Sequence, residues 1–155
     1  MIKNVLIAIT ITGIDQLVKC LIRQLPLGFS CTVLPGILNL RHCTNSGAAF
    51  SLLSGQTLLL VLCSLLLMTG IALFVWRMMN LTEAAYTACA CLIGGGLSNM
   101  LDRVCFGGVT DYIETVLFSF PVFNLADIVI TVSISVLLMM TLTGKLERPT
   151  GEKHG

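Results

Sequence analysis

Charge is what this 155-residue chain has least of. Only 11% of its residues are Asp, Glu, Lys or Arg, against about 25% in an ordinary soluble domain. So few charges could not cover a water-facing surface, so lipid is the expected solvent. The formal net charge of +1 offers no basic surface for phosphates, which excludes an electrostatic case for nucleic acid. The chain has two histidines, His42 and His154. They are too few and too far apart for a zinc framework, for HExxH, or for a Ser–His or Cys–His nucleophile pair. No metal or other cofactor is expected. The seven cysteines include no CxxC pair. They read as small buried hydrophobes, with a disulfide between Cys31 and Cys43, within one loop, as the lesser alternative.

What the chain has is apolar length. Residues 4–22 form a run of about 19, which at about 1.5 Å per residue nearly matches a hydrocarbon core of about 30 Å. Residues 57–76 carry no charge and are the clearest span. Residues 84–101 and 124–143 complete four. Asp15, Gln16 and Lys19 argue against reading the first run as a cleavable signal peptide. With Thr12 and Arg23 they recur at spacings of three and four, so they share one helical face. Residues 25–55, punctuated by Pro26, Gly28, Pro35 and Gly36, read as a strand-and-turn element outside the membrane. Residues 105–123 form a second extramembrane segment. Gly94, Gly95 and Gly96 allow close approach of a neighbouring helix. The expected fold is an all-α membrane protein of four helices. Residues 1–144 are one domain, and residues 145–155 a disordered cytoplasmic tail.

Residues 94–127 hold four of the eight acidic side chains: Asp102, Asp111, Glu114 and Asp127. A carboxylate near the bilayer centre costs about 2.5–3.5 kcal/mol on insertion scales, so such a cluster points to function. Asp111 and Asp127 are read as a pair that shares a proton. The charged member can activate water while the neutral one protonates a carbonyl oxygen. The plainer reading is a solvated loop acid and a helix-starting acid. For Asn45, Asn99 and Asn124 it is capping or helix–helix bonding, for Arg103 an interfacial anchor. For Asp15 and Lys19 a structural ion pair is preferred.

Four spans put both termini on one side. Lys3, Arg77, Lys145, Arg148 and Lys153 fall on that side, and Arg23, Arg41 and Arg103 on the other, which favours cytoplasmic termini. The polar residues then gather toward the outer leaflet. A small proton- or ion-coupled transporter, with Asp15 and Lys19 as the coupling pair, is the main alternative. It predicts polar residues continuing to the inner helix ends. A scaffold that binds acyl chains is another.

Five motifs in this order resemble bacterial lipoprotein signal peptidase (signal peptidase II), a family of membrane aspartic proteases. They are Asp15-x-x-x-Lys19, Asn45-x-Gly47-Ala48-Ala49-Phe50, Gly95-x-x-x-Asn99-x-x-Asp102-Arg103, Val109-Thr110-Asp111-Tyr112-Ile113 and Phe123-Asn124-x-Ala126-Asp127. The resemblance implies that Asp111 and Asp127 are catalytic. It implies that Asn45, Gly47, Asn99, Arg103 and Asn124 support the pair or position substrate, and that Asp15, Lys19 and Asp102 are structural. It implies cleavage of prolipoproteins before a diacylglyceryl-modified cysteine, contact with membrane lipid, and inhibition by globomycin. A monomer in the inner membrane, with its site toward the outer leaflet, is expected. So are a small extramembrane β-cradle and a short outer-side helix. Ser98, Glu114 and Ile128 depart from residues common in the family, and the loop 112–123 is rather short.

Overall fold

A computed structural model describes residues 2–48, 52–78 and 80–148. The helices are α1 (Ile2–Ile22), α2 (Thr57–Arg77), α3 (Glu83–Phe106) and α4 (Leu125–Leu142), and the strands are β1 (Ser30–Leu34), β2 (Leu38–Asn45) and β3 (Val109–Thr115). All four helices are long and apolar enough to cross a membrane. The fold is the expected one: an all-α membrane architecture with a small sheet.

The hydrophobic pattern of α1 is inside out. Its buried residues include Thr12, Asp15 and Lys19, while Val5, Leu6, Ile9, Leu17 and Leu21 are exposed. That arrangement suits lipid, where apolar side chains gain nothing by turning inward and polar ones must find partners inside the bundle.

The helix they turn toward is α3, which packs against α1, α2 and α4. Two adjacent glycines make this possible. A Cβ at Gly94 would stand 2.7 Å from the Ala8 carbonyl oxygen of α1. A Cβ at Gly95 would stand 2.9 Å from the Ala126 carbonyl oxygen of α4. Thr12 Oγ1 donates to Gly94 O across the first contact at 2.9 Å. The third glycine is different: a Cβ at Gly96 would sit 3.5 Å from the flexible Met68 sulfur.

Outside the helices the strands form one antiparallel sheet in the order β1-β2-β3. A bulge interrupts β2, because Leu40 pairs with Ile113 but Cys43 with Asp111. Had the first register continued, His42 would face Asp111. Instead the extra residue turns His42 away, and its buried ring meets Leu25 O through Nδ1 at 2.8 Å. Bulges re-aim side chains in this way beside functional sites. Beyond β3 the chain doubles back: Tyr112 N and Ile113 N both donate to Phe123 O, at 3.0 and 2.8 Å, and Phe123 N donates to Ile113 O at 3.0 Å. This pairing carries the chain into α4 beside β3.

Several expectations are corrected. Helix α3 runs on to Phe106, where Gly107 ends it at φ 76°. Among the described residues no short outer helix lies between α3 and α4; that segment holds β3 and its return. The cysteines are unpaired, and Cys31 and Cys43 lie opposite Leu40 and Asp111. Cys89 is buried, but Cys20, Cys31, Cys63 and Cys105 are exposed. Residues 145–148 are ordered: Thr82 N donates to Leu146 O and Arg148 N to Asn80 O. Ala49 and Phe50, and residues 149–155, lie outside the described residues.

Gly94→Ala should therefore lower the stability of the folded protein in detergent by about 1–3 kcal/mol, the usual cost of forcing volume into a close contact. Gly96→Ala should leave it nearly unchanged. Thermal unfolding of the two variants beside the parent checks this.

Candidate active site

The polar residues of the five motif-bearing elements, α1, β2, α3, β3 and α4, converge at the end of the bundle next to the sheet. Lys19 stands at the centre and is fully buried. Its ammonium lies 2.8 Å from Asp15 Oδ2, 2.7 Å from Asn99 Oδ1 and 3.5 Å from Asp102 Oδ2. Neither carboxylate stops there. Asp15 accepts from Ser98 Oγ at 2.6 Å and from Ala126 N, at the start of α4, at 3.1 Å. Asp102 accepts from Gln16 Nε2 at 2.8 Å, from Arg23 at 3.2 Å and from Thr110 N at 2.8 Å.

This frame dictates which way the amides in front of it point. An ammonium can only donate, so Asn99 must turn its oxygen to Lys19. Its Nδ2 is then left to donate to Asp127 Oδ1 at 2.8 Å. The same logic orients Asn124, the N-cap of α4. Its Oδ1 accepts from Asp127 N at 2.9 Å, and its Nδ2 donates to Asp111 Oδ1 at 2.6 Å. Its backbone N–H returns to Asp127 Oδ2 at 3.2 Å, which completes a capping box. Asp127 thus accepts at both oxygens, while Asp111 sits buried across Asn124 from it.

The two carboxylates face one cavity of about 490 Å³, shared with Asn45, Asn99 and Arg103. Its remaining lining is mostly apolar and comes from Phe120, Val122, Phe123, Ile128, Ile130 and Val132. Arg103 donates to Gly47 O at 3.1 Å and Asn99 O at 3.3 Å. Its Nε is buried with no hydrogen-bond partner among the described residues. Gly47 N donates to Asn45 Oδ1 at 2.9 Å.

Burial pushes the Asp111 carboxyl up to about 7, and the nearby charge of Asp127 pushes the same way. Hydrogen bonds from Asn124 and Asn45 and the charge of Lys19 oppose the shift. Tyr112 is pushed up to about 12, chiefly by burial, so its hydroxyl keeps its proton. That hydroxyl accepts from Leu125 N at 3.1 Å and also bonds Asp15.

Every residue expected at the site is therefore here. Asp111, Asp127, Asn45, Asn99 and Arg103 line the cavity, Asn124 and Gly47 hold them, and Asp15, Lys19 and Asp102 lie behind. Sequence reasoning gave no site role to Gln16, Arg23, Ser98, Thr110 and Tyr112. The polar face of α1 already carried the signal for the first two.

A family model described as "Signal peptidase (SPase) II" matches residues 7–143. The chain belongs to this family. The lipoprotein signal peptidase of Synechococcus sp. is 42% identical over 81% of this chain and 85% of its own length. That of Gloeobacter violaceus is 37% identical over 93% and 84%. A solved bacterial membrane enzyme superposes with a TM-score of 0.89 at 28% identity, covering all of this chain and 95% of its own. With its four apolar helices, this signal peptidase II relative is a multi-pass membrane protein.

Lys19→Met should destabilise the protein strongly, by about 3–5 kcal/mol, because it strands buried Asp15 and Asp102 without their shared cation. The fraction that stays monodisperse in detergent, compared with the parent, measures the loss.

Proposed function

We propose that this protein is an aspartic endopeptidase that removes the signal peptide from prolipoproteins, cutting before a diacylglyceryl-modified cysteine. The observation that carries the reading is the hold on the two carboxylates: Asn124 ties Asp111 to the first turn of α4 while Asn99 and the Asn124 backbone hold Asp127.

Charge counting gives the pair one proton. Lys19, Arg23 and Arg103 bring three positive charges to this end of the bundle. Asp15, Asp102 and Asp127 bring three negative ones. The group is neutral when one of the two aspartates holds a proton and carries one excess negative charge when neither does; we place that proton on Asp111, the more buried of the two. Low dielectric favours the neutral count. Asp127, with donors on both oxygens, is the charged member.

In the first step Asp127 takes a proton from water as the water oxygen attacks the scissile carbonyl carbon. Asp111 gives its proton to the carbonyl oxygen, which forms a neutral gem-diol. In the second step the C–N bond breaks. Asp127 delivers its proton to the leaving amine, and a gem-diol hydroxyl returns one to Asp111. Both groups end as they began. On this reading Arg103, Asn45 and Gly47 position the substrate backbone.

The mostly apolar cavity wall suits a substrate whose acyl chains stay in lipid. The enzyme works in the bacterial inner membrane as a monomer, with cytoplasmic termini and its site toward the outer leaflet. Globomycin-type inhibitors occupy the same cavity. The transporter reading fares worse. The second cavity, about 340 Å³ between α2, α3 and α4, is lined by Leu66, Leu67, Ile71, Phe74 and Leu137, with Cys89 and Thr141 as its few polar contacts.

Asp111→Asn and Asp127→Asn should each reduce cleavage of a diacylglyceryl-modified precursor by about 10²–10⁴-fold, the usual scale for losing an acid or base. Both variants should still insert and fold. An unmodified precursor should not be cut by the parent. Cleavage retained by both variants defeats the assignment.

The pH dependence follows from Asp111, whose proton is required. It is held below about 7 and lost above. The rate should fall as pH rises through that value, and fall again in acid as Asp127 is protonated. A profile flat across both limbs in a detergent assay would rule out this division of roles.

A further inference from the structure

Arg23, just past the end of α1, enters the mechanism above only as a charge and takes no part in proton transfer or substrate contact. We infer that it is a positioning residue that sets Asp111 through Thr110, an inference that rests on the catalytic reading of Asp111.

Thr110 directly precedes Asp111 and is held twice. Its backbone N–H donates to Asp102 Oδ2 at 2.8 Å, and its hydroxyl oxygen accepts from Arg23 Nη1 at 3.1 Å. The same Arg23 nitrogen reaches Asp102 Oδ1 at 3.2 Å. One guanidinium therefore spans the side chain of the held residue and the carboxylate that holds its backbone. Arg23 is itself fixed: its Cζ lies 4.2 Å from the centre of the Phe106 ring, and Nη2 reaches Gln16 Oε1 at 3.5 Å. It is joined to the ends of α1 and α3 and to the beginning of β3.

Position matters at Asp111 because its bond from Asn124 is short and buried. A small rotation of the β3 start moves the carboxyl away from that donor. The groups that feel such a move are Asp127 on α4, Lys19 on α1, Arg103 on α3, and Cys43 on β2. Thr110 and Asp102 are buried, so both bonds from this one Arg23 nitrogen end on groups out of water, while the planar guanidinium is held by Phe106 and Gln16.

The test compares Arg23→Gln, Arg23→Lys, Thr110→Val and the double variant Arg23→Gln/Thr110→Val in detergent. The substrate is a diacylglyceryl-modified precursor, and Asp111→Asn is the reference. Arg23→Gln should lower kcat about tenfold or more per folded molecule, the scale of a misplaced reacting group, with KM within about twofold. Thr110→Val should lower it in the same way, and the double variant should be little worse than the worse single one. Arg23→Lys keeps the charge but loses the planar group that lies over Phe106 and reaches Gln16, and should recover only part of the loss. The alkaline limb should move to higher pH in Arg23→Gln, because Asp111 loses a donor that favours its charged form.

A kcat per folded molecule equal to the parent, additive effects of the two substitutions, full recovery by lysine, or an unmoved alkaline limb would each overturn the inference. Activity in Asp111→Asn would instead sink the catalytic reading itself, whatever the Arg23 variants do.

Discussion

A single buried ammonium organises this molecule. Lys19 is sealed from solvent, and its three partners belong to two helices. Each partner passes the constraint on. Asp15 reaches the first turn of α4, Asp102 reaches the start of β3, and Asn99 reaches Asp127. The catalytic pair proposed here is thus located by atoms that belong to neither aspartate. A hydrophobic core could fill the same volume, but it could not dictate which end of an amide faces forward. Donor-only chemistry can.

The glycines are the steric half of the same design. Polar contacts between α1, α3 and α4 need backbones close enough for short side chains to bridge them. Gly94 and Gly95 provide that approach on opposite sides of α3. Where α3 meets α2, at Gly96, there is room, and the nearest neighbour is the flexible Met68 side chain. The bundle is therefore tight and polar around α1, α3 and α4 toward the sheet, and apolar along α2.

Much of this was legible in the residues. The stripe on α1 was visible because charges are rare and fall at spacings of three and four. The spans were visible from length, and the motif order pointed to the family. Other features were not. The bulge in β2 was not read, although the alternation of Leu38, Asn39, Leu40 and Arg41 breaks where His42 follows as a second polar residue. The extension of α3 to Phe106 was hidden because the apolar run ends at Leu101 and Cys105 was read as the start of the extramembrane segment. The cysteines were expected inside, yet several face outward, because lipid accepts a small apolar side chain as readily as a core does. The outer helix was carried over from the family; here β3 pairs back on Phe123, and that segment is strand and return. Residues 145–148 read as tail by composition, but their backbone found partners in the turn before α3.

The bond from Ala126 N to Asp15 Oδ1 joins residues near opposite ends of the chain. Its consequence lies in the order of biogenesis. The first helix enters the membrane carrying a carboxylate and an ammonium that can satisfy each other, so it inserts as a neutral pair. The backbone donor to Asp15 Oδ1 comes only with α4, and a buried acceptor short of a donor is costly. Arrival of α4 closes that bond and brings Asp127 into place in the same step. A bundle of α1, α2 and α3 alone therefore lacks both this tie and the second aspartate of the proposed pair, so on that reading the site is complete only once α4 has closed the bundle.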